Sequence, residues 1–447
     1  MSKYSIYTEA DRILKHVLLR DSKLQLPASF HAAAEKVNFV GEDDQPFVLT
    51  PLKITESSAA LNALVATAAS AVATERYGVP YQDIEVNTDA ATLFLESPIR
   101  RLTSNIYRTK DGRWYHLHGS MNATPTMEML GVQDVDVSIE EAIQIYAEKV
   151  AQWDSEEIEK VANDRFKQAG VICYEPEEFL SSEHGKVISN EPLWTTTRLS
   201  APRKPWPEAK DPKACIPLAG IRVIDLSRAI PAPAVRADIL VDGYRPGALA
   251  RISFSSQSLC KLNPSLIYMR ENCYGFKGPL AYRSGWQQIS DCLVGISHLQ
   301  GRFLGLKEAV VPLLLGAVAA IQALLQRTKE NITFDIDISL TQYNIWYYRL
   351  GLYSEEQQKA LRSRDLQFKP RHYDEIIELI RITHESLERV RPRIFQRPEY
   401  YWSMSAKEYG IDDEFKILAP AFKLSRSTIE YKVPTGRRGR SKAEWVN

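Results

Sequence analysis

Strict alternation marks the clearest strand in the chain. In "NITFDIDISL", Ile332, Phe334, Ile336 and Ile338 are apolar, while Thr333, Asp335 and Asp337 are polar, so one face is core and the other a solvated strand face. "IYRTKDGRWYHLHGS" predicts a hairpin around the turn Lys110-Asp111-Gly112. Helical spacing governs other stretches. "SSAALNALVATAASAVATERYG", Ser57 to Gly78, predicts an Ala-rich helix with Ser57 or Ser58 as N-cap. "SIEEAIQIYAEKVAQWDSEEIEKVANDRFKQAG" predicts two helices with Gly170 as a C-cap. "VICYEPEEFLSSEHG" predicts a short strand followed by a helix, and residues 1–50 an amphipathic helical stretch followed by the polar loop "VGEDDQPF".

The second half alternates strands with helices. "IRVIDL" and "ADILVDG" predict two strands, "PSLIYMRENCYGFKGP" a strand with a Gly/Pro turn, and "GWQQISDCLVGISHL" a helix. This order predicts an α/β sheet domain. Only nine residues, Arg228 to Arg236, separate the first two strands, and they include Pro231 and Pro233. A parallel crossover needs at least ~10–12 residues, usually with a helix that prolines two apart prevent. The segment "TTTRLSAPRKPWPEAKDPKACIPLAG" carries five prolines and reads as a linker. The division it predicts is 1–201, a linker at 202–216, and 217–447.

Composition narrows the class. The chain has 447 residues, 44% hydrophobic and 25% charged, with zero formal net charge. No global field attracts nucleic acid or an anionic membrane, so a charged ligand needs a local site. Five scattered cysteines without a CxxC pair fit reduced thiols. The charged N-terminal stretch lacks the apolar core of a signal peptide, and the expected location is cytoplasmic. The longest apolar run, Val310 to Leu325, contains Pro312 and Gln322 and is shorter than the ~20 residues of a spanning helix, so it predicts a buried core helix.

Candidate chemistry is sparse. His116 and His118 lie two apart on one strand face, but no third ligand stands at a convincing spacing. They read as polar side chains on a half-exposed strand, and no metal is expected. "GRRGRSK", Gly436 to Lys442, reads as a solvated basic tail. "GYRPGAL", Gly243 to Leu249, follows a strand end, where α/β sheets bind ligands, and Arg245 suits a phosphate or carboxylate. No G-x-x-x-x-G-K-[ST], G-x-S-x-G or strand-following GxGxxG occurs, which argues against a P-loop NTPase, an α/β-hydrolase and an ordinary dinucleotide enzyme.

The order "PLAGIRVIDLSR", "ADILVDGYRPGAL", "NPSLIYMRENCYGFKGP" resembles the family III CoA-transferases, the group of carnitine, formyl and bile-acid CoA-transferases and α-methylacyl-CoA racemases. The likeness is dense from Pro217 to Gly351, and the tail is similar to fungal-type members. "TKDGRWYHLHG" and "AGVICYEPEEFLSSEHG" resemble the family's smaller domain, so the chain reads as two family-like halves, the first partial. The resemblance implies a Rossmann-type α/β large domain with a smaller α+β domain, and a homodimer. It implies transfer of CoA from an acyl-CoA to a small carboxylic acid through an enzyme carboxylate, with CoA as substrate and no permanently bound cofactor. Arg245 corresponds to the family's phosphate-contacting arginine, Arg228 and Ala229 to the loop approaching CoA, and Tyr274 and Gly275 to the turn beside it.

Two departures stand out. The family places a longer segment, with a helix and further strands, between the first strand and "ADIL", so the large domain reads as shortened. The family's nucleophilic aspartate, shortly before the apolar helix, has no counterpart, because no Asp lies between Asp291 and Asp335. Glu308 is the nearest carboxylate and the substitute. Asp225 reads as a strand-end cap. The alternatives are a catalytically inactive remnant or binding protein, and a racemase-type isomerase.

Overall fold

A computed structural model of the chain describes residues 4–93, 104–120, 122–134, 137–209, 211–226, 237–312 and 320–429. The β-branched runs of the second half pair into one five-stranded sheet. Its strands are β1 (Trp194–Ser200), β2 (Val223–Asp225), β3 (Ile239–Asp242), β4 (Ile267–Asn272) and β5 (Ile332–Ser339). The spatial order is β1-β5-β4-β3-β2; β2 to β5 are mutually parallel, and β1 runs antiparallel along β5. The parallel strands follow one another in chain order, and no reversal of order occurs among the described strands.

β2 and β3, the two strands with the short connection, are direct neighbours. Val223 pairs with Ile239, Ile224 with Leu240 and Asp225 with Val241. Their connection, including Pro231 and Pro233, lies outside the described residues.

Both faces of the sheet are covered, which a parallel sheet requires. Ile239, Ile267, Phe334 and Ile336 enter a large core that also takes in helix Ile54–Tyr77 and helix Ala320–Arg327. Ile224, Leu240 and Tyr268 point the other way, onto Leu249 and Leu259. The large core runs from Ile6 to Leu424, and β1 and β5 join residues from both sides of the 202–216 segment. Arg76 donates to Pro217 O (2.7 Å) and Pro207 O (2.6 Å), which binds that segment to the core helix.

Four local expectations are corrected. Helix Ile54–Tyr77 begins a turn before the serines; Ser57 Oγ donates to Ile54 O and Ser58 Oγ to Ala91 O, so neither caps it. Gly170 opens strand Gly170–Ile172, paired with Leu117, instead of ending a helix, and a Cβ there would stand 2.0 Å from Tyr115 Oη. Thr195 to Ser200 belong to β1 instead of a linker, paired along β5. The polar face of β5 is not simply solvated: Arg270 grips Asp337 with two bonds of 2.7 Å, and Ser256 Oγ donates to Asp335 at 2.6 Å.

The hairpin forms as expected, with Ile106–Arg108 antiparallel to Trp114–Leu117, and Gly170–Ile172 adds a third strand. By length and apolar content helix Ile54–Tyr77 could cross a bilayer, but 83% of its most apolar window is buried inside the fold, as in a core helix. Of the apolar run Val310–Leu325, residues 313–319 lie outside the described residues, and helix Ala320–Arg327 covers its end.

Candidate active site

Because β2 to β5 are parallel, their carboxyl ends share one edge, where open α/β sheets hold ligands. β3 ends at Asp242 and turns through Gly243 to Gly247. Asp242 builds that turn by accepting from Tyr244 N–H (3.1 Å) and Tyr268 Oη (2.9 Å). Gly247 closes it with φ +77°, a left-handed conformation that favours glycine. Arg245, at the tip, is exposed, and its guanidinium has no hydrogen bond or ion pair among the described residues.

The next strand ends in a second turn. Asn272 clamps Gly275, accepting from its N–H and donating to its carbonyl at 2.7 Å each. Gly275 has φ +91°, and a Cβ there would lie 2.3 Å from Ile188 Cδ1. Tyr274 is fully buried. Its carbonyl sits 3.0 Å from His184 Nε2, and its hydroxyl has no partner among the described residues. The structure therefore sets Arg245, Tyr274 and Gly275 on turns of adjacent strands. Arg228 and Ala229 lie outside the described residues.

Sequence reasoning missed Glu271. It stands one residue from the end of β4, on the face of the sheet that carries Met269 and, across β3, Val241 and Asp225. The carboxylate is half-buried and makes no hydrogen bond among the described residues. Burial first, and the negative charge of Asp225 second, push its pKa up. Its signal was a charge inside "LIYMRENCYG", in a strand whose neighbours are apolar.

Glu308 is elsewhere. Arg371 holds both its oxygens (Nε to Oε1 2.5 Å, Nη2 to Oε2 2.9 Å), and His372 N–H reaches Oε1 at 3.4 Å. His372 in turn bonds Ile106 of the hairpin sheet. Burial works to raise the Glu308 pKa, but the Arg371 hydrogen bonds and the positive charge of the loop hold it below the ordinary value.

The two strand histidines are buried, not half-exposed. His116 is stacked on His118 at 5.7 Å, and His118 on Trp286 at 5.6 Å, because helix Gln287–Val294 covers that face. Neither ring nitrogen of His116 has a partner among the described residues, and burial pushes its pKa down to about 4. Among the described residues, no group of three or more His, Cys, Asp or Glu is placed to hold a metal ion. The basic tail, 436–442, lies outside the described residues.

Residues 234–372, which carry both turns, Glu271 and Glu308, match the family model described as CoA-transferase family III. Over that segment the chain resembles the family. An acetyl-coenzyme A transferase, nodX, from Hypoxylon pulicicidum is 29% identical over 95% of this chain and 90% of its own. An acyl-CoA transferase from Gibberella moniliformis is 26% identical over 69% of this chain and 73% of its own. The solved structure of Rv3272 from M. tuberculosis covers 26% of this chain and 34% of its own, at 19% identity and a TM-score of 0.20, too slight a likeness to place any residue. The matched segment and these transferase relatives together support an enzyme of the CoA-transferring class, and the chain has mixed helix and sheet content. The match to nodX also needs gaps here: its 544 aligned positions exceed the 447 residues of this chain by 97.

Proposed function

We propose that the chain transfers CoA from an acyl-CoA to a carboxylic acid, with Arg245 on a CoA phosphate and Glu271 as the enzyme carboxylate. One observation carries this reading. The carboxyl edge of the sheet offers an uncommitted guanidinium and an uncommitted half-buried carboxylate on neighbouring strands. The printed names of the fungal relatives support acyl-CoA as donor.

The chemistry balances without a cofactor. The Glu271 carboxylate adds to the thioester carbonyl and expels CoA thiolate, leaving a mixed anhydride. The thiolate then attacks the Glu271 carbonyl and releases the donor acid, so CoA rests on the enzyme as a thioester. An acceptor carboxylate repeats the two steps in reverse and leaves with CoA. A carboxylate with a raised pKa and no hydrogen bond among the described residues is more nucleophilic than Glu308, whose lone pairs Arg371 occupies. Backbone N–H groups of the glycine turns are the donors at hand for the oxyanion.

We read the sheet as the remaining part of a shortened Rossmann-type large domain, and the hairpin sheet with its helices as the smaller domain. The gaps against nodX and the brevity of the β2–β3 connection support this. A second reading, a CoA-binding protein without turnover, is favoured by the engagement of Glu308 and the absence of an Asp between Asp291 and Asp335.

Borohydride trapping after incubation with acetyl-CoA separates these. Labelling of the wild type and of Glu308→Gln, but not of Glu271→Gln, is expected. Labelling that disappears only in Glu308→Gln overturns the role of Glu271. An unlabelled wild type that still binds CoA establishes the second reading.

A further inference from the structure

A separate cleft opens between helix Leu340–Arg349, the end of helix Glu183–Ile188 and the N-terminal helical segment. Its volume is about 260 Å3. Val17, Ile188, Leu193, Ile345 and Trp346 give it apolar walls. The same helix keeps these side chains together: Ile345 and Trp346 lie within one turn of Arg349.

The charges around the cleft differ in what they are free to do. Arg12 donates from Nε and Nη2 to the two carboxylate oxygens of Glu9, at 2.9 and 2.8 Å. Glu191 is taken by Lys277 at 2.8 Å. Asp21 accepts the backbone N–H of Lys23 at 2.9 Å, inside its own loop. Lys23 Nζ donates to Asn190 O at 2.7 Å and has no ion pair among the described residues. Arg349 is exposed and has no hydrogen bond or ion pair among the described residues. Among the described residues, Lys23 and Arg349 thus have no ion-pair partner beside an apolar wall.

We infer that this cleft binds a small amphipathic carboxylate, its head on Arg349 and Lys23 and its apolar body against Trp346 and Leu193. An uncommitted guanidinium favours a planar anion, which it can meet with two parallel bonds. The apolar wall excludes a purely ionic ligand such as inorganic phosphate as the preferred occupant. The volume lies just below the ~300–1,000 Å3 of clefts that hold drug-sized molecules, so the ligand is small. The inference stands apart from the role of Arg245 and survives its failure.

The test is calorimetric titration of the full chain with octanoate, with acetate and 1-octanol as controls. Octanoate is expected to bind once per chain, with acetate and 1-octanol each at least about tenfold weaker. Arg349→Ala and Arg349→Glu are expected to weaken octanoate about tenfold or more, and Arg245→Ala to leave it unchanged. Since Arg349 is exposed, circular dichroism should show both variants folded. No octanoate binding to the wild type, unchanged binding in Arg349→Glu, or displacement of octanoate by CoA would each overturn the site.

Discussion

Replacing Arg245 by Ala isolates the charge at the sheet edge from the turn that presents it. The turn does not use the side chain. Its bonds run from Tyr244 N–H and Tyr268 Oη to Asp242, and from Ala248 N–H to the Arg245 carbonyl at 2.9 Å. Removing an exposed, unpaired guanidinium is therefore expected to change stability by less than about 0.5 kcal/mol. If the guanidinium meets a CoA phosphate, its charge-assisted bonds are worth about 1.5–3 kcal/mol, or roughly 10- to 150-fold in Kd. Exposure to solvent places the loss toward the lower end and makes it salt-dependent, since exposed charges are screened over about 8–10 Å at physiological ionic strength.

Calorimetric titration with CoA at low and at high salt, beside a thermal melt of each protein, reads both quantities. The wild type should lose affinity as salt rises, and Arg245→Ala should lose less. Arg245→Lys should fall between them, because it keeps the charge and loses the planar fork. Equal CoA affinity in wild type and Arg245→Ala at low salt refutes the assignment. So does a fall in melting temperature that parallels the fall in affinity, because then the turn and not the charge was lost.

Gly170→Ala should destabilise the small sheet by about 1–3 kcal/mol or more in urea unfolding, because its Cβ would sit 2.0 Å from the buried Tyr115 hydroxyl; an unchanged midpoint would mean the strand gives way freely. His116 carries a pH term of defined sign. Its folded pKa is about 4 against about 6.5 unfolded, so stability is fully present above 6.5 and is lost as pH falls toward 4, on the order of 3 kcal/mol in all. His116→Phe keeps the stack on His118 and removes the titration, so its advantage over wild type should widen from pH 7 to pH 4.5; parallel pH profiles would contradict the buried neutral imidazole.

The parts of the fold that were legible in the sequence are those fixed by local chemistry. Lys110-Asp111-Gly112 specifies a turn wherever it lies, and Gly112 takes φ +81° there. The period-two pattern of Ile332 to Ile338 fixed which residues point inward. What failed depended on a third element. Alternation cannot say that Trp286, at the start of a helix, stacks on His118, nor that Ser58 finds Ala91 O across the core. Ser57 and Ser58 carry the right chemistry for a cap, but the helix starts before them because Ile54 is buried against the core. Gly170 reads as a stop signal in one dimension and is a packing requirement in three.

The same limit explains the two carboxylates. In the sequence, Glu308 drew attention because it stands closest to the gap left by an expected aspartate. Glu271 did not, because it sits inside a strand. Reactivity, however, follows from partners and not from position along the chain. Arg371 lies 63 residues beyond Glu308 and fills both its oxygens, which lowers basicity and nucleophilicity together. Glu271 gains its raised pKa from burial and from Asp225, two strands away in the sheet and 46 residues back in the sequence. Strand register creates both conditions at once: it buries Glu271 and brings a second carboxylate near. A charge that folding isolates in this way costs stability unless a ligand or a reaction uses it. On that argument Glu271→Leu should stabilise the chain while abolishing the trapped thioester, and a variant that loses stability instead would show Glu271 to be a structural group.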